Sequence, residues 1–466
     1  MLPIPLAMRC LNPSPLLRVA GRALACAGLA LAACVTAHPA AAALVVMRGH
    51  AELTSATLWI QTDTATPVKL SWRVDGEAVE RTLELAAAKA DDHVVVARLT
   101  GLKPGATAAY HLQAGADHRD GMVRAQPYWR KPGDAAELTI ALGSCFFLAD
   151  PDPVFSRQDY GRGFEIFDAI AAKKPDLMLW LGDNLYLQQP DLYDPSAMAA
   201  RYRRQRAFEP LQALLTATTH LAIWDDHDYG PNDSDASFVL KGETLKLFQR
   251  YWPNPSFGLP DVPGTFGVAR YGDLMFFLLD DRYYRSPNRW PDGPDKTMFG
   301  TRQLEWLKQA LVSAPRNSIK IVAGGSQFWK RTGRFEGWHH FAAEQRAFSD
   351  WLVAQKIDGV VFVSGDRHFS ELLKIERPDA YPLYEFTSSP LTSRPPSRLD
   401  KADHDNPDVV PGTQVAKRQF GLIRVTGSGD DRRLSFESYD SAGAPLWREE
   451  LRANDLRFPG TRGPRT

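Results

Sequence analysis

Cysteine is scarce in this chain. The 466 residues contain four, Cys10, Cys26, Cys34 and Cys145, and three of them fall within the first 43 residues. The rest of the chain carries a single thiol and closes no internal disulfide. Net charge is missing as well: 55 Lys and Arg balance 55 Asp and Glu. Bulk electrostatics therefore give no hold on a nucleic-acid scaffold or an anionic membrane, and any anion must be bound by a local site. Internal repeats are absent, as is low complexity beyond the leader, which excludes solenoid and fibrous designs.

What is present begins with that leader. Arg9, Arg18 and Arg22 precede an apolar run from Ala23 to Ala37, and small residues follow at Ala40 to Ala43. This is the charge, apolar core and cleavage pattern of a secretory signal over residues 1–43. The run is too short to span a bilayer comfortably, and no adjacent arginine pair supports a twin-arginine route. Leu31-Ala32-Ala33-Cys34 also has the form of a lipobox, which would leave Cys34 as a lipidated N-terminus. Both readings place the protein in the periplasm or outside the cell, with contact to a membrane only through that lipid. In such an oxidising place the lone Cys145 needs burial or a task.

The length favours more than one domain. Residues 44–126 are rich in β-branched and aromatic residues with stretches of period two, such as Val68-Leu70-Trp72-Val74. A strand, a Gly/Pro turn and a strand carrying Tyr110 predict an N-terminal fibronectin- or Ig-like β-sandwich. No acid, base or metal ligands cluster in it. Residues 127–137 read as a linker. From residue 138 to about 450, apolar strands alternate with helical stretches, the grammar of an α/β domain, and residues 451–466 read as a polar tail.

Six strands in the α/β part end in polar groups. LTIALG ends at Ser144-Cys145, DLMLWLG at Asp183, THLAIW at Asp225-Asp226-His227, LMFFLL at Asp280-Asp281-Arg282, IKIVAGG at Ser326-Gln327 and GVVFVSG at Asp366-Arg367-His368. Open α/β sheets bind ligands at such ends, and the pattern predicts that these groups share one sheet edge. Helices are predicted over 164–173, 301–314 and 341–355. The Pro- and Asp-rich stretch 390–411 reads as an irregular loop and a candidate lid.

Carboxylates gathered in one cleft repel one another unless a cation neutralises them. Cys145, Tyr186 and His368 add softer donors, and together with Asp183 they suit iron. Asp226, Asp366 and Asn232 form an oxygen-rich set suited to calcium or magnesium. A carboxylate shared between two ions is a usual way to hold them roughly 3.5–4 Å apart.

Four motifs in order, Gly143-Ser144-Cys145, Gly182-Asp183-x-x-Tyr186, Trp224-Asp225-Asp226-His227-Asp228 and Ser364-Gly365-Asp366-Arg367-His368, resemble those of the alkaline phosphatase D (PhoD-like) family of metallophosphoesterases. The resemblance runs from about Leu44 to about Tyr439. It implies a calcineurin-like metallophosphoesterase domain, a sheet sandwich flanked by helices, behind the N-terminal sandwich. It implies ferric iron on Cys145, Asp183, Tyr186 and His368. One or two calcium ions would sit beside it on Asp183, Asp226 and Asp366, with Asn232 as a further ligand. Magnesium, manganese and zinc are the alternatives at the second position. His227 and Asp226 would be catalytic, His227 holding the phosphate or protonating the leaving oxygen. Two departures from the wider superfamily, Cys145 in place of an Asp-x-His pair and Asp366-x-His368 in place of His-x-His, exchange nitrogen for sulfur and oxygen and favour iron with calcium over zinc pairs.

The implied activity is hydrolysis of phosphate monoesters by a metal-activated water, with small phosphate esters as partners. A phosphodiesterase acting on lipid-headgroup or nucleotide diesters is the alternative. A non-catalytic, metal-stabilised surface binding protein is the reading from another class. Arg282, Lys330 and Arg367 are candidate phosphate clamps on charge alone. Asp225 reads as a helix cap or a support for the ligands, and His339-His340 as a surface or helix-start pair.

Overall fold

The strand Leu177–Leu181 is buried throughout, and its residues alternate between two cores. Leu177, Leu179 and Leu181 pack with one set of apolar side chains, Met178 and Trp180 with another. Period two turns a continuous apolar run into a strand with a core on each face. Each fully buried side chain of this kind contributes about 1.5–3 kcal/mol.

The computed structural model describes residues 44–128, 137–150, 160–316 and 318–460. The leader with its lipobox, most of the expected linker and the end of the expected tail lie outside the described residues. The strands in chain order are β1 (Leu44–Ala51), β2 (Ser55–Thr62), β3 (Val68–Val74), β4 (Glu80–Leu85), β5 (Val94–Thr100), β6 (Thr107–Ala114) and β7 (Asp117–Arg124). There follow β8 (Leu138–Gly143), β9 (Leu177–Leu181), β10 (Thr219–Ile223), β11 (Gly267–Tyr271), β12 (Leu274–Leu278) and β13 (Ile319–Ala323). The last are β14 (Val360–Ser364), β15 (Glu371–Ile375), β16 (Leu383–Thr387), β17 (Gln419–Thr426), β18 (Arg433–Asp440) and β19 (Pro445–Arg452).

They form three sheets. A nine-stranded sheet runs β19-β18-β17-β8-β9-β10-β1-β2-β5, a six-stranded sheet β11-β12-β13-β14-β16-β15, and a four-stranded sheet β4-β3-β6-β7. The centres are parallel: β8, β9 and β10 in the first, β12, β13, β14 and β16 in the second. Leu177, Leu179 and Leu181 of the first sheet share a core with Phe276, Val322 and Val361 of the second. Helices cover the other faces. Ile166–Ala172, Pro195–Arg206, Gln212–Ala217 and Lys241–Tyr251 supply Ile170, Tyr202, Leu215 and Phe248 to the core around Trp180. Thr301–Ser313 and Ala342–Ala354 supply Leu307 and Phe348 to the other. The helix Pro195–Arg206 begins where its sequence directs: Asp194 accepts from the Ser196 N–H at 2.9 Å, and Pro195 takes the first position.

Three expectations are revised. The six polar strand ends do not line one sheet: β8, β9 and β10 belong to one sheet and β12, β13 and β14 to another. Parallel strands of two facing sheets bring their carboxyl ends to one rim as effectively as neighbours in one sheet. The N-terminal strands are also not separable as a bead on a linker. β3, β4, β6 and β7 make their own sheet, but β1, β2 and β5 continue the nine-stranded one, with β1 parallel to β10. The core between them holds Leu58, Ile60, Leu70, Trp72 and Leu112. The stretch read as a polar tail starts inside β19, and beyond it Leu456 and Phe458 are buried, so apolar residues tie that end to the body.

Candidate metal centre

The ligand-bearing loops are short turns at strand ends, and their backbone is unusual. Cys145 (φ 59°), Asp183 (φ 50°), Asp366 (φ 63°) and His368 (φ 57°) all occupy the left-handed region, which residues with a Cβ rarely adopt. Such conformations cost on the order of 1–3 kcal/mol each and gather where side chains must be aimed. Gly365 makes the aim feasible: a Cβ there would lie 2.4 Å from the Leu181 carbonyl oxygen and 2.6 Å from Ser144. Only glycine lets the turn after β14 pass so close to the ends of β8 and β9.

The turns bring the donors together. Cys145, Asp183 and His368 place ligand atoms within 4.8 Å of one another, as do Asp183, Asp226 and His227. Asp183 belongs to both groups. The Cys145 thiol donates to Asp183 Oδ2 at 3.5 Å, and the Tyr186 hydroxyl donates to the same oxygen at 3.2 Å. Tyr186 Oη lies 3.3 Å from His368 Nε2. The other oxygen, Asp183 Oδ1, accepts from the backbone N–H of His227 at 3.2 Å. Each oxygen thus faces a different set of donors.

The supporting contacts aim these groups. His368 Nδ1 donates to the Arg394 carbonyl at 2.8 Å, which fixes the tautomer and leaves the Nε2 lone pair turned toward Tyr186 and Asp183. Ser389 donates to Cys145 Sγ at 3.1 Å and accepts from the His368 N–H at 3.0 Å. Ser393 donates to Tyr186 Oη at 3.0 Å. Phe147 meets the Tyr186 ring edge-on at 5.1 Å.

The protein alone does not hold this arrangement in its charged form. Burial pushes the Cys145 thiol up to about 12, helped by repulsion from Asp366. Burial, then repulsion from Asp226, Cys145, Asp228 and Asp366, lifts Asp183 well above the carboxylate range. Burial also lifts Tyr186, with Asp183 and Cys145 opposing its ionisation. Burial brings His368 down to about 4, so its imidazole is neutral. A thiol, a phenol and a carboxyl that resist negative charge, in contact with a neutral imidazole, fit a highly charged cation: it would reverse the first three shifts and favour the neutral imidazole that His368 already is. The donor set fits iron.

On the other side of Asp183 the donors are oxygens. Asp226, Asp233 and Glu336 form a third group within 4.8 Å. Neither Asp233 nor Glu336 was foreseen. Asp233 had a weak signal as the neighbour of Asn232; Glu336, in a loop away from any strand end, had none. Asn232 is exposed on the same cavity, and Asp366 lies on its lining next to Arg367. Desolvation raises Asp366 to about 7 against the pull of Arg367. The Asp233 N–H donates to Asp226 Oδ2 at 2.7 Å. These oxygens open onto a cavity of about 590 Å³ that His227, Tyr160, Phe335 and Arg398 also line. The His227 ring lies against Tyr186, centroids 4.2 Å apart.

Other expected residues have different tasks. Arg282 is wholly buried and donates to Asp225, Glu336, Ser326 and the Ser234 carbonyl, so it holds the fold and has no face for a phosphate. Lys330 is buried on Asp403. Asp225 caps the short helix Asp226–Tyr229 in a capping box with Asp228, whose Oδ2 also accepts from the Asn184 N–H at 3.1 Å. His339 and His340 begin a helix and face the carbonyls of Gly333 and Phe335. Gln327 is committed to Glu371 and Thr387. The expected lid is tied down at its start. The N–H groups of Leu391, Thr392 and Ser393 donate to the carbonyls of Ser144 and Cys145, so this stretch is part of the cavity wall.

Paired sheets with a cation-ready cleft at their common rim define a metallophosphoesterase. A family model described as PhoD-like phosphatase matches residues 153–434, and the chain belongs to that family, whose members hydrolyse phosphoesters. A solved structure described as that of PhoD superposes with a TM-score of 0.70 at 19% identity, covering 90% of this chain and 92% of that one. A purple acid phosphatase, PPD1 from yellow lupin (Lupinus luteus) seeds, superposes with a TM-score of 0.62 at 11% identity, covering 89% and 75%. These identities speak to the fold alone. No curated protein matches the chain.

Proposed function

We propose that this chain is an exported phosphomonoesterase that works with iron on Cys145, Asp183, Tyr186 and His368 and with calcium on the oxygen side. The observation that carries the reading is Asp183, whose two oxygens face a sulfur-and-nitrogen set on one side and an oxygen set on the other. When bound, the cations supply Lewis acidity: they offset phosphoryl charge and make water acidic near neutral pH. The chain's own residues do the rest. Asp183 and Asp226 are fixed by the N–H groups of His227 and Asp233, so no reorganisation is needed as charge develops. His227 stands on the cavity lining, placed to hold a phosphoryl oxygen or to give a proton to the departing alkoxide. Phe147 packs against Tyr186, and Tyr160 against Phe147.

The cavity volume favours a second reading. About 590 Å³ admits both ester groups of a diester, so lipid-headgroup or nucleotide diesters are the alternative substrates. Export rests on the sequence of residues 1–43, and the protein would act in the periplasm or beyond, on small phosphate esters. The first seven strands would serve as a fibronectin-like support. The test is turnover of aryl mono- and diesters before and after chelation. We expect monoester turnover that a chelator abolishes and metal restores. Full activity in metal-free protein contradicts the reading, and metal retention without turnover of either ester turns it toward a binding protein.

A further inference from the structure

Arg367 lies between two residues of the metal centre, Asp366 and His368. Its side chain is 4% exposed, yet it lines the cavity. The guanidinium rests against two rings, 4.4 Å from the centroid of Phe335 and 5.6 Å from that of Phe369. Nη2 donates to Asp403 Oδ2 at 2.6 Å, and Nη1 stands 4.0 Å from Asp366 Oδ2. Nε is buried without a hydrogen-bond partner. A guanidinium offers five N–H donors in a rigid planar fork. Here the rings fix its plane and Asp403 takes one edge, so donors remain for a ligand in the cavity.

Asp403 explains why that fork is immobile. It sits in the short helix Lys401–His404, buried, and also receives Lys330 Nζ. Asp403 lies between two cations, and Asp366 faces Arg367 from the other side, so carboxylates hold the guanidinium on both flanks. Burying an ionic triad is costly and does not by itself favour stability. What the arrangement does give is a guanidinium fixed in place, as an anion receptor requires. Arg334, by contrast, is 75% exposed and 3.8 Å from Asp400, a looser contact.

We propose that Arg367 is the residue that receives the phosphoryl oxygens of the substrate, and that Asp403, itself held by Lys330, is the positioning residue that makes the segment 399–405 part of the site. The proposal rests on the phosphoesterase reading and deepens it. The alternative is a tie that merely staples that segment to the cavity wall. Lysine at 367 separates the two, because it keeps the charge facing Asp403 and loses the fork.

The experiment is calorimetric titration of the metal-loaded full chain with inorganic phosphate, alongside KM and kcat on an aryl monoester and metal analysis. Arg367→Lys should weaken phosphate binding about tenfold and raise KM more than it lowers kcat, with metal content unchanged. Asp403→Asn should move the same quantities roughly threefold, and Asp403→Glu should return most of that loss. Phe335→Ala, a change at a ring 41% exposed and so safe for folding, should weaken phosphate binding roughly threefold by freeing one face of the guanidinium. Phosphate affinity within twofold of the parent in both Arg367→Lys and Phe335→Ala overturns the proposal, as does a loss of metal that accounts for the loss of affinity. A parent protein that hydrolyses no phosphoester sinks the underlying reading; a parent that does, with Arg367→Lys unaffected, sinks this inference alone.

Discussion

The two sides of Asp183 differ in almost every physical respect. On the Cys145 side the donors are sulfur, phenol and imidazole, the first two buried and His368 half-buried on the cavity lining, with aromatic rings behind them and each held by a neighbouring hydroxyl or carbonyl. On the Asp226 side the donors are oxygens, one of them on the exposed Asp233, and they open onto the cavity. A set of soft donors held by neighbouring hydroxyls and carbonyls is preorganised and suits a resident ion, whereas a set of hard oxygen donors suits a more readily exchanged ion. The contrast teaches that the shared carboxylate is the element on which both sides depend.

The largest effect should come from removing it. Asp183→Ala should lose both ions and reduce kcat/KM by at least about 10³-fold, read by kinetics and metal analysis together. Retention of either ion at parental level breaks the comparison. Cys145→Ser should act on one side only: iron lost, calcium kept, activity down roughly 100-fold. His227→Ala should keep both ions and lose roughly 10²-fold in turnover; unchanged turnover removes His227 from the mechanism. Glu336→Ala tests stability more than chemistry. It strips Arg282 and Arg285 of a buried partner, so thermal unfolding should report a loss of about 3–5 kcal/mol, where Asp233→Ala costs little. The smallest effect concerns pH. In chelated protein the raised Asp366 stabilises the folded state fully below its ordinary value of 3.8, and that contribution fades as pH rises through about 7. Metal-free protein should therefore unfold more easily at pH 8 than at pH 5, and the metal-loaded protein should not share that trend.

Much of this contrast was legible in the sequence, and the exceptions have physical causes. The strands β8, β9, β10, β12, β13 and β14 announced themselves because a strand buried on both faces must be apolar throughout, so the first polar residue marks its end. Cys145, Asp183, Asp226, Asp366 and His368 stand at such ends. Glu336 was invisible because a loop carboxylate acquires its partners only through folding. Arg282 misled because a charge at a strand end looks the same whether it faces a cavity or a buried Glu336. The join of β1 to β10 rests on a single parallel pairing, Arg48 with Thr219, and periodicity carries no trace of such a contact between distant segments.

Metal stoichiometry across parent, Cys145→Ser and Asp183→Ala proteins tests the shared carboxylate most directly. The account predicts iron and calcium together in the parent, calcium alone in Cys145→Ser, and neither in Asp183→Ala. Iron retained in Cys145→Ser, or either ion retained at parental level in Asp183→Ala, contradicts it.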